Sequence, residues 1–566
     1  MISNDRQIFL LLWVCLIVAF PGRQHASPSG TVSGYVRDQE TGYPLPGASI
    51  LVEGTTFGAM ADKNGHYIIY NLPPGQYNLR ATMIGYVPTK ITSVQVKTDL
   101  NTPIDFSLVP QVLLVPQEIV ITAPRIEIYK DVVSSLHYLG EEQLAMALPA
   151  QNFQEALTLV PGFVANHFRG GRPSNALYLI DGLPASGPLT RDLAFMVQNT
   201  AIAEMVIQTG GFSPEYGNVS AGLVNLITKE GRNHFHGMAK VATDVVGQYD
   251  NRAFDNSRRA ELTIGGPLTL GLGGPVVETN YLISGGVNFT DTPHREAMRQ
   301  AFNSPVVFNY DLNTKLAIRA HRNLYLRWQA LLSDWDWRQY DRQWDDRLSA
   351  LPKRRNRNVR LSLSLTHTLS PAMFYKLDLV SLDLRRNVFG EVQSGAPSNL
   401  ALKHRSLASA WPGATEPWFE QRREKQYTAH LSLIRQLTSA QQIKAGLESN
   451  WWDLQLDRSR YLLWPALGQE SEFVYSRYDD SFRQFPYTVA SYFQYKIDLT
   501  KVIFNLGGRY ELFSPNASQA PLPTESPEVD SAAFRETKSH VKQTLAPRIS
   551  LAIPISKVEH LSFNYG

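Results

Sequence analysis

Val359-Arg360-Leu361-Ser362-Leu363-Ser364-Leu365-Thr366 alternates apolar and polar residues without a break. A period of two puts Val359, Leu361, Leu363 and Leu365 on one face of a strand and Arg360, Ser362, Ser364 and Thr366 on the other. The pattern recurs on both sides of this stretch. Tyr487, Val489, Phe493, Tyr495 and Ile497 oppose Thr488, Gln494, Lys496 and Asp498, and Leu324, Leu326, Trp328 and Ala330 oppose Arg327 and Gln329. The alternation predicts strands near 236–246, 258–268, 279–290, 314–321, 323–332, 359–367, 373–384, 426–436, 442–453, 487–499, 501–512 and 545–555, with another opening near His560. No crossover helices intervene, so the sheet is antiparallel, and a sheet this large calls for closure of its edges.

The connections add a second, independent signal. Those near 322, 369, 438, 500 and 557 are short, whereas 333–358, 385–425, 454–486 and 513–544 are long, polar and rich in Trp, Tyr, Arg and Asp. The long ones all fall at one parity. Bacterial outer-membrane barrels have short periplasmic turns and long external loops, and each strand spends only every second residue on lipid. A mean hydropathy of −0.21 is therefore compatible with a membrane protein. No run of about 18 apolar residues follows residue 26, so no membrane-spanning helix is expected. A net charge of +3 on 566 residues gives no reason to expect a nucleic-acid partner.

Residues 1–26 read as a secretory signal peptide: Arg6 precedes the apolar run 8–20, and Arg23, Gln24 and His25 follow it. The single cysteine, Cys15, lies in that run, so the exported chain is expected to hold neither disulfides nor thiolate metal sites. Residues 29–110 read as a small β-sandwich. Turn signals at Thr41-Gly42, Pro46-Gly47, Asp62-Lys63-Asn64-Gly65 and Pro73-Pro74-Gly75 separate about seven short strands. The order Gly34-Tyr35-Val36, Pro46-Gly47-Ala48, Asp62-Lys63-Asn64-Gly65-His66-Tyr67 and Leu72-Pro73-Pro74-Gly75-Gln76-Tyr77 resembles the carboxypeptidase regulatory-like (transthyretin-like) domain. His66 has no His or Glu at metal-ligand spacing. The Asp62-Lys63-Asn64-Gly65 run lacks the later bidentate carboxylate of a calcium loop. An adaptor or spacer is expected there, with no peptidase chemistry.

Within the linker 111–129, Pro116 and Pro124 bracket Glu118-Ile119-Val120-Ile121-Thr122-Ala123, a β-prone hexamer. Two readings stay open on local grounds: an exposed segment offering its edge to a partner strand, or the last strand of the preceding domain. Then follow the apolar pattern Leu144, Leu148, Phe153, Leu157 and Val160, the run Arg169-Gly170-Gly171-Arg172, and Ala176-Leu177-Tyr178-Leu179-Ile180-Asp181-Gly182-Leu183-Pro184. Ile202 to Gly211, Pro214-Glu215-Tyr216-Gly217 and Ala221-Gly222-Leu223-Val224-Asn225-Leu226-Ile227 complete the unit. This order, over about 117–230, resembles the plug domain of TonB-dependent outer-membrane receptors. The uninterrupted apolar strands agree with a sheet covered on both faces. The resemblance implies a TonB-coupling segment at Glu118, Ile119, Val120, Ile121, Thr122 and Ala123. It also implies a plug framework that includes Arg169, Gly170, Asp181, Gly182, Glu204, Tyr216, Gly217, Gly222 and Asn225.

The expected architecture is mostly β: signal peptide 1–26, N-terminal β-sandwich 29–110, linker 111–129, an α+β plug 130–231, and an antiparallel transmembrane β-barrel from 232. The family's barrel has about 22 strands, and 232–566 supplies roughly thirteen at the spacing of bacterial barrels. The barrel is accordingly expected to be incomplete, the chain being a fragment or a truncated reading frame. No catalytic constellation or cofactor motif stands out, and His234 and His236 have no third ligand in view, so neither enzyme activity nor a cofactor or metal is expected. The rings of Trp335, Trp337, Trp344 and Trp418 are candidates for ligand contact, with an interfacial aromatic belt as the other reading. The expected function is energised outer-membrane uptake of a scarce ligand: an iron chelate, oligosaccharide, peptide or vitamin. Its expected partners are the TonB periplasmic domain, membrane lipid and, for glycans or peptides, a surface lipoprotein. The alternative is an adhesin or binding scaffold on the same fold, without transport.

Overall fold

The computed structural model describes residues 30–110, 119–122, 135–146, 153–244, 257–268, 278–291, 295–302, 306–338, 351–389, 419–465, 473–499, 502–519, 537–555 and 560–566, apart from single positions at 56, 73, 99, 166, 322, 371, 439, 517 and 539. The signal-peptide expectation falls outside these residues, as do Glu118, Ala123, Trp344 and Trp418.

The first unit is a two-sheet sandwich. Strands β1 (Gly30–Asp38), β4 (His66–Leu72), β7 (Asn101–Pro103) and β8 (Phe106–Leu108) make one sheet. The other runs β3 (Gly58–Met60), β2 (Ser49–Val52), β5 (Gly75–Thr82), β6 (Thr89–Val96), β9 (Ile119–Thr122). Alternate residues of both sheets, among them Val32, Val36, Ile50, Val52, Tyr67, Leu79, Val94 and Phe106, fill the space between them. Asp62 closes its turn by accepting the Asn64 and His66 amides at 2.8 and 2.9 Å. Gly65 takes the positive φ of 73° that this turn requires. The segment 119–122 lies at the sheet edge, parallel to β6, with Val120 opposite Lys90. Of the two readings of that segment, the structure has the strand of the preceding domain.

The second unit is built on a five-stranded sheet. Its order is β10 (Leu136–Gly140), β15 (Ile202–Gln208), β16 (Gly222–Thr228), β13 (Ala176–Ile180), β14 (Leu183–Pro184). Short helices α1 (Glu141–Met146) and α2 (Phe153–Leu157) and the small hairpin β11 (Phe163–Val164) and β12 (His167–Phe168) pack beside it. Every residue of β16 is buried, as the unbroken apolar run demands of a strand covered on both faces. Phe153, Leu157, Phe168, Phe195, Ile202 and Val224 form its core, and Leu331, Leu382 and Leu384 of the surrounding wall join it.

That wall is a single antiparallel sheet of 14 strands. In order they are β17 (His236–Thr243), β18 (Arg258–Pro267), β19 (Glu278–Thr290), β20 (Val307–His321), β21 (Leu324–Trp337), β22 (Lys353–Ser370), β23 (Met373–Phe389), β24 (Phe419–Thr438), β25 (Gln441–Pro465), β26 (Phe473–Gln484), β27 (Tyr487–Asp498), β28 (Ile503–Ser514), β31 (Lys542–Pro554) and β32 (His560–Tyr565). A separate two-residue ladder, β29 (Ser518–Gln519) with β30 (Thr537–Lys538), and helix α3 (Arg295–Phe302) lie in its connections. Sequential strands pair throughout, except that β25 is long enough to pair with β26 along one half and β27 along the other. Among the described residues β17 and β32 are the two ends of the sheet order and do not pair.

Strand β22 shows which way the wall faces. Arg360, Ser362, Ser364 and Thr366 are buried at 0, 5, 3 and 0 %, while Leu361 is 45 % exposed. The polar rows point at the plug and the apolar rows point away from the protein. This is the reverse of a water-soluble sheet and the arrangement of a barrel immersed in lipid.

Candidate functional site: the plug and the bore that holds it

Asp181 and Gly182 form the two-residue turn between β13 and β14, with φ of 56° and 78°. Two consecutive positive φ values define the hairpin turn that Asp-Gly favours. The turn is pinned from within, because the Gly182 amide donates to Asn225 Oδ1 at 2.9 Å. Asp181 accepts the Thr228 amide at 3.0 Å and the Thr228 hydroxyl at 2.7 Å. The wall then closes on this turn. Lys315 Nζ lies 3.0 Å from Asp181 Oδ2 and donates to the Thr228 carbonyl at 3.1 Å. Gln329 Nε2 donates to Asp181 Oδ2 at 2.9 Å, and Arg360 Nη2 donates to Gln329 Oε1 at 2.6 Å. Arg360 Nη1 faces three carbonyl oxygens around the hairpin, Ile180 at 3.1 Å, Leu183 at 3.3 Å and Pro184 at 3.2 Å. Nearby, Glu230 pairs with Arg327 at 3.1 Å and accepts the Tyr325 hydroxyl. A buried carboxylate without such partners would not stay charged.

A second set of contacts lies on the later strands. Glu215 binds Lys444. Arg509 donates to the Glu215 carbonyl at 2.9 Å, to Glu448 at 2.8 Å and to Glu511 at 3.0 Å. Arg548 donates to the carbonyls of Phe212 and Ser213, both at 2.9 Å, and of Tyr216 at 3.1 Å. A Cβ on Gly217 would lie 2.8 Å from the Arg509 guanidinium, which would have to shift to admit it. In both sets plug carboxylates and carbonyls meet cations of the wall.

The sequence-derived framework residues divide into four groups. Asp181, Gly182, Asn225, Tyr216 and Gly217 stand at these two contacts. Glu204 is buried but faces the N-terminal sandwich, where it accepts the Thr98 amide at 3.0 Å. Gly222 serves packing, because a Cβ would sit 2.6 Å from the Phe168 ring. Arg169 and Gly170 are exposed, with φ of 47° and 74°, and the Arg169 amide donates to the Gly162 carbonyl at 2.7 Å. They shape a turn and do not touch the wall contacts described. The residues not singled out from sequence are Lys315, Gln329, Arg360, Lys444, Arg509 and Arg548. Each sits on the polar half of an alternating strand, where only its burial under the plug sets it apart.

The other end of the plug faces the long connections. Leu189 donates its amide to Glu424 Oε2 at 3.0 Å, and Asn358 donates to the Ala194 carbonyl at 2.6 Å. Trp335 shares the strand face of buried Ser333 and donates its indole N–H to Asp311 at 3.4 Å, and Trp337 follows at the same parity. Both belong to the bore side. At the short-turn end the sandwich docks: Arg319 lies 5.5 Å over the Phe57 ring, and Lys97 lies 5.0 Å over Tyr138. Among the described residues no group of three or more His, Cys, Asp or Glu is placed to hold a metal. The His234 and His236 rings are 5.9 Å apart.

Comparison with known proteins supports this architecture. The model of the CarboxypepD_reg-like domain family matches residues 32–121. The chain is 26% identical over 226 residues to the TonB-dependent transporter Oar of Myxococcus xanthus, covering 37% of this chain and 21% of that protein. It is 28% identical over 251 residues to the TonB-dependent receptor P3 of Formosa agariphila, covering 40% and 23%. Human carboxypeptidase D is 40% identical over 81 residues, but this is 14% of the chain and 6% of the enzyme, confined to the regulatory-like unit. The matched part thus spans less than a quarter of the length of these TonB-dependent relatives. Among solved structures, the ferric yersiniabactin uptake receptor FyuA of Yersinia pestis superposes with a TM-score of 0.52 at 13% identity, covering 75% of this chain and 62% of that one. The ferric enterobactin receptor PfeA of Pseudomonas aeruginosa gives 0.51 at 16%, covering 74% and 60%. The fold is that of a plugged β-barrel, with a unit similar to the regulatory-like domain in front.

Proposed function

We propose that this chain is a TonB-dependent receptor of the outer membrane that takes up a scarce ligand through energised displacement of its plug. The observation that carries the reading is the inverted wall: apolar rows outward, polar rows gripping a folded domain in the bore. A channel for passive diffusion has no use for such a domain. Trp335 and Trp337, with Trp344 and Trp418 in the long connections, would meet the ligand at the outer face. The ligand class stays open among iron chelates, oligosaccharides, peptides and vitamins, with a surface lipoprotein as an accessory for the polymeric ones. TonB would engage residues 118–123 by strand pairing, and the force would pass to β10. The framework of Asp181, Gly182, Glu204, Tyr216, Gly217, Gly222 and Asn225, with Arg169 and Gly170 shaping the turn, would keep the plug seated until then. The chain itself makes and breaks no covalent bond and needs no cofactor. The test is capture by an immobilised TonB periplasmic domain. Intact protein should be retained and a deletion of 118–123 should not; equal capture of both would refute the coupling role. A chain that bound ligand but took none up with an energised inner membrane would instead be a binding scaffold.

A further inference from the structure

Three arginines stand abreast on the outside of the wall. In the register of β22, β23 and β24, Arg357 is directly opposite Arg385, and Arg385 is directly opposite Arg423. All three share the outward parity of exposed Leu361, and their side chains are 54, 48 and 40 % exposed. Neighbouring strands lie about 4.8 Å apart, so the row is roughly 10 Å wide. Like charges placed directly opposite destabilise a sheet. Carboxylates hold the row from below. Asp334 accepts from Arg355 at 2.7 Å and Arg357 at 2.9 Å, and Asp383 accepts from Arg385 at 2.9 Å and Arg423 at 2.7 Å. The Asp334 and Asp383 side chains are 4 and 24 % exposed, so the guanidinium groups are more exposed than the acids that pair with them. Both arginines on Asp383 use Nε and Nη2, and Nη1 is not engaged by those bonds.

The position of the row matters as much as its charge. Tyr427, Trp451 and Tyr487 are paired across β24, β25 and β27 on the same outward face, an aromatic line of the kind found where hydrocarbon meets headgroups. Lys425 is the next outward residue above Tyr427, and Arg423 the next above that. On β22, Arg357 is the outward residue directly before the lipid-facing run Val359, Leu361, Leu363 and Leu365. The arginines therefore stand at headgroup depth, where a cation attracts anionic lipid, and guanidinium forks suit phosphate.

We propose that Arg357, Arg385 and Arg423, with Arg355 and Lys425 beside them, form a docking site for the phosphate groups of outer-leaflet lipids. This rests on the reading of the wall as lipid-facing. The probes are bisphosphorylated lipid A and its dephosphorylated form, offered to detergent-solubilised protein and counted by native mass spectrometry. Wild type should retain the phosphorylated lipid at least about tenfold better, and R357Q/R385Q/R423Q should lose that preference. D383N removes a competing carboxylate and should retain more phosphorylated lipid than wild type, which keeps the test decisive if the triple variant folds poorly. Equal retention of the two lipids, or no loss in a folded triple variant, would overturn the site. A protein that binds neither lipid and stays dispersed without detergent would overturn the lipid-facing reading itself.

Discussion

Asp181 shows what a single residue position reveals and conceals. Its place before Gly182 marks a turn in any sequence, and the turn is there. Its ion pair with Lys315 is not legible, because nothing local in either strand names the other. Asp181→Asn should leave Lys315 buried beside a neutral amide and cost about 3–5 kcal/mol, read as faster hydrogen exchange in β13 and β16. Asp181→Leu combined with Lys315→Met should be milder than Asp181→Leu alone, since no charge is then stranded. Gly222→Ala should cost about 1–3 kcal/mol by driving a methyl into Phe168. In the front domain, the Thr41 amide and the Tyr86 hydroxyl hold the Asp38 carboxyl below the usual carboxylate range. That contribution is complete above the ordinary carboxylate pKa and is lost as pH falls through the lowered value. Thermal melting of the sandwich should therefore drop on acidification below about pH 4, and less steeply in Asp38→Asn.

At the scale of elements, alternation located the strands wherever the outward face is apolar and the other meets the plug. It stopped short where those constraints stop. β24 begins at Phe419, seven positions before the expected 426, and the added residues include Arg422 and Arg423. β26 falls within the expected long connection 454–486. Its sequence, Phe473 to Gln484, carries Arg477, Asp479, Asp480 and Arg483 and pairs only with the outer half of β25. Beyond the apolar band and the plug neither face need be apolar, so the period of two vanishes although the ladder continues. β9 illustrates the converse problem. Its residues are β-prone whether they serve a partner or their own domain, and only the register with β6 decides where they rest. Cysteines at Lys90 and Val120, which face each other in that register, should clamp β9 to the sandwich when oxidised. Capture by the TonB domain should fall in the oxidised form and return on reduction, with ligand binding unchanged. Undiminished capture would mean that TonB pairs with β9 where it lies.

For the whole molecule, average properties mislead and arrangement decides. A mean hydropathy of −0.21 averages over a chain whose wall turns Leu361 outward and encloses Arg360, Ser362, Ser364 and Thr366. Leu363→Arg, at an outward position well inside the apolar band, should cost about 2–4 kcal/mol in vesicle-embedded protein unfolded with urea. Order along the chain has a mechanical meaning as well. β10 is both the first strand of the plug sheet and one of its two edges, joined among the described residues to β15 alone, whereas β16, the last in sequence, lies at the centre. Tension applied from the N-terminal side therefore reaches an edge strand first and the central one last. The bore would open by peeling, in steps, with the innermost strand still anchored as the template on which the peeled portion refolds.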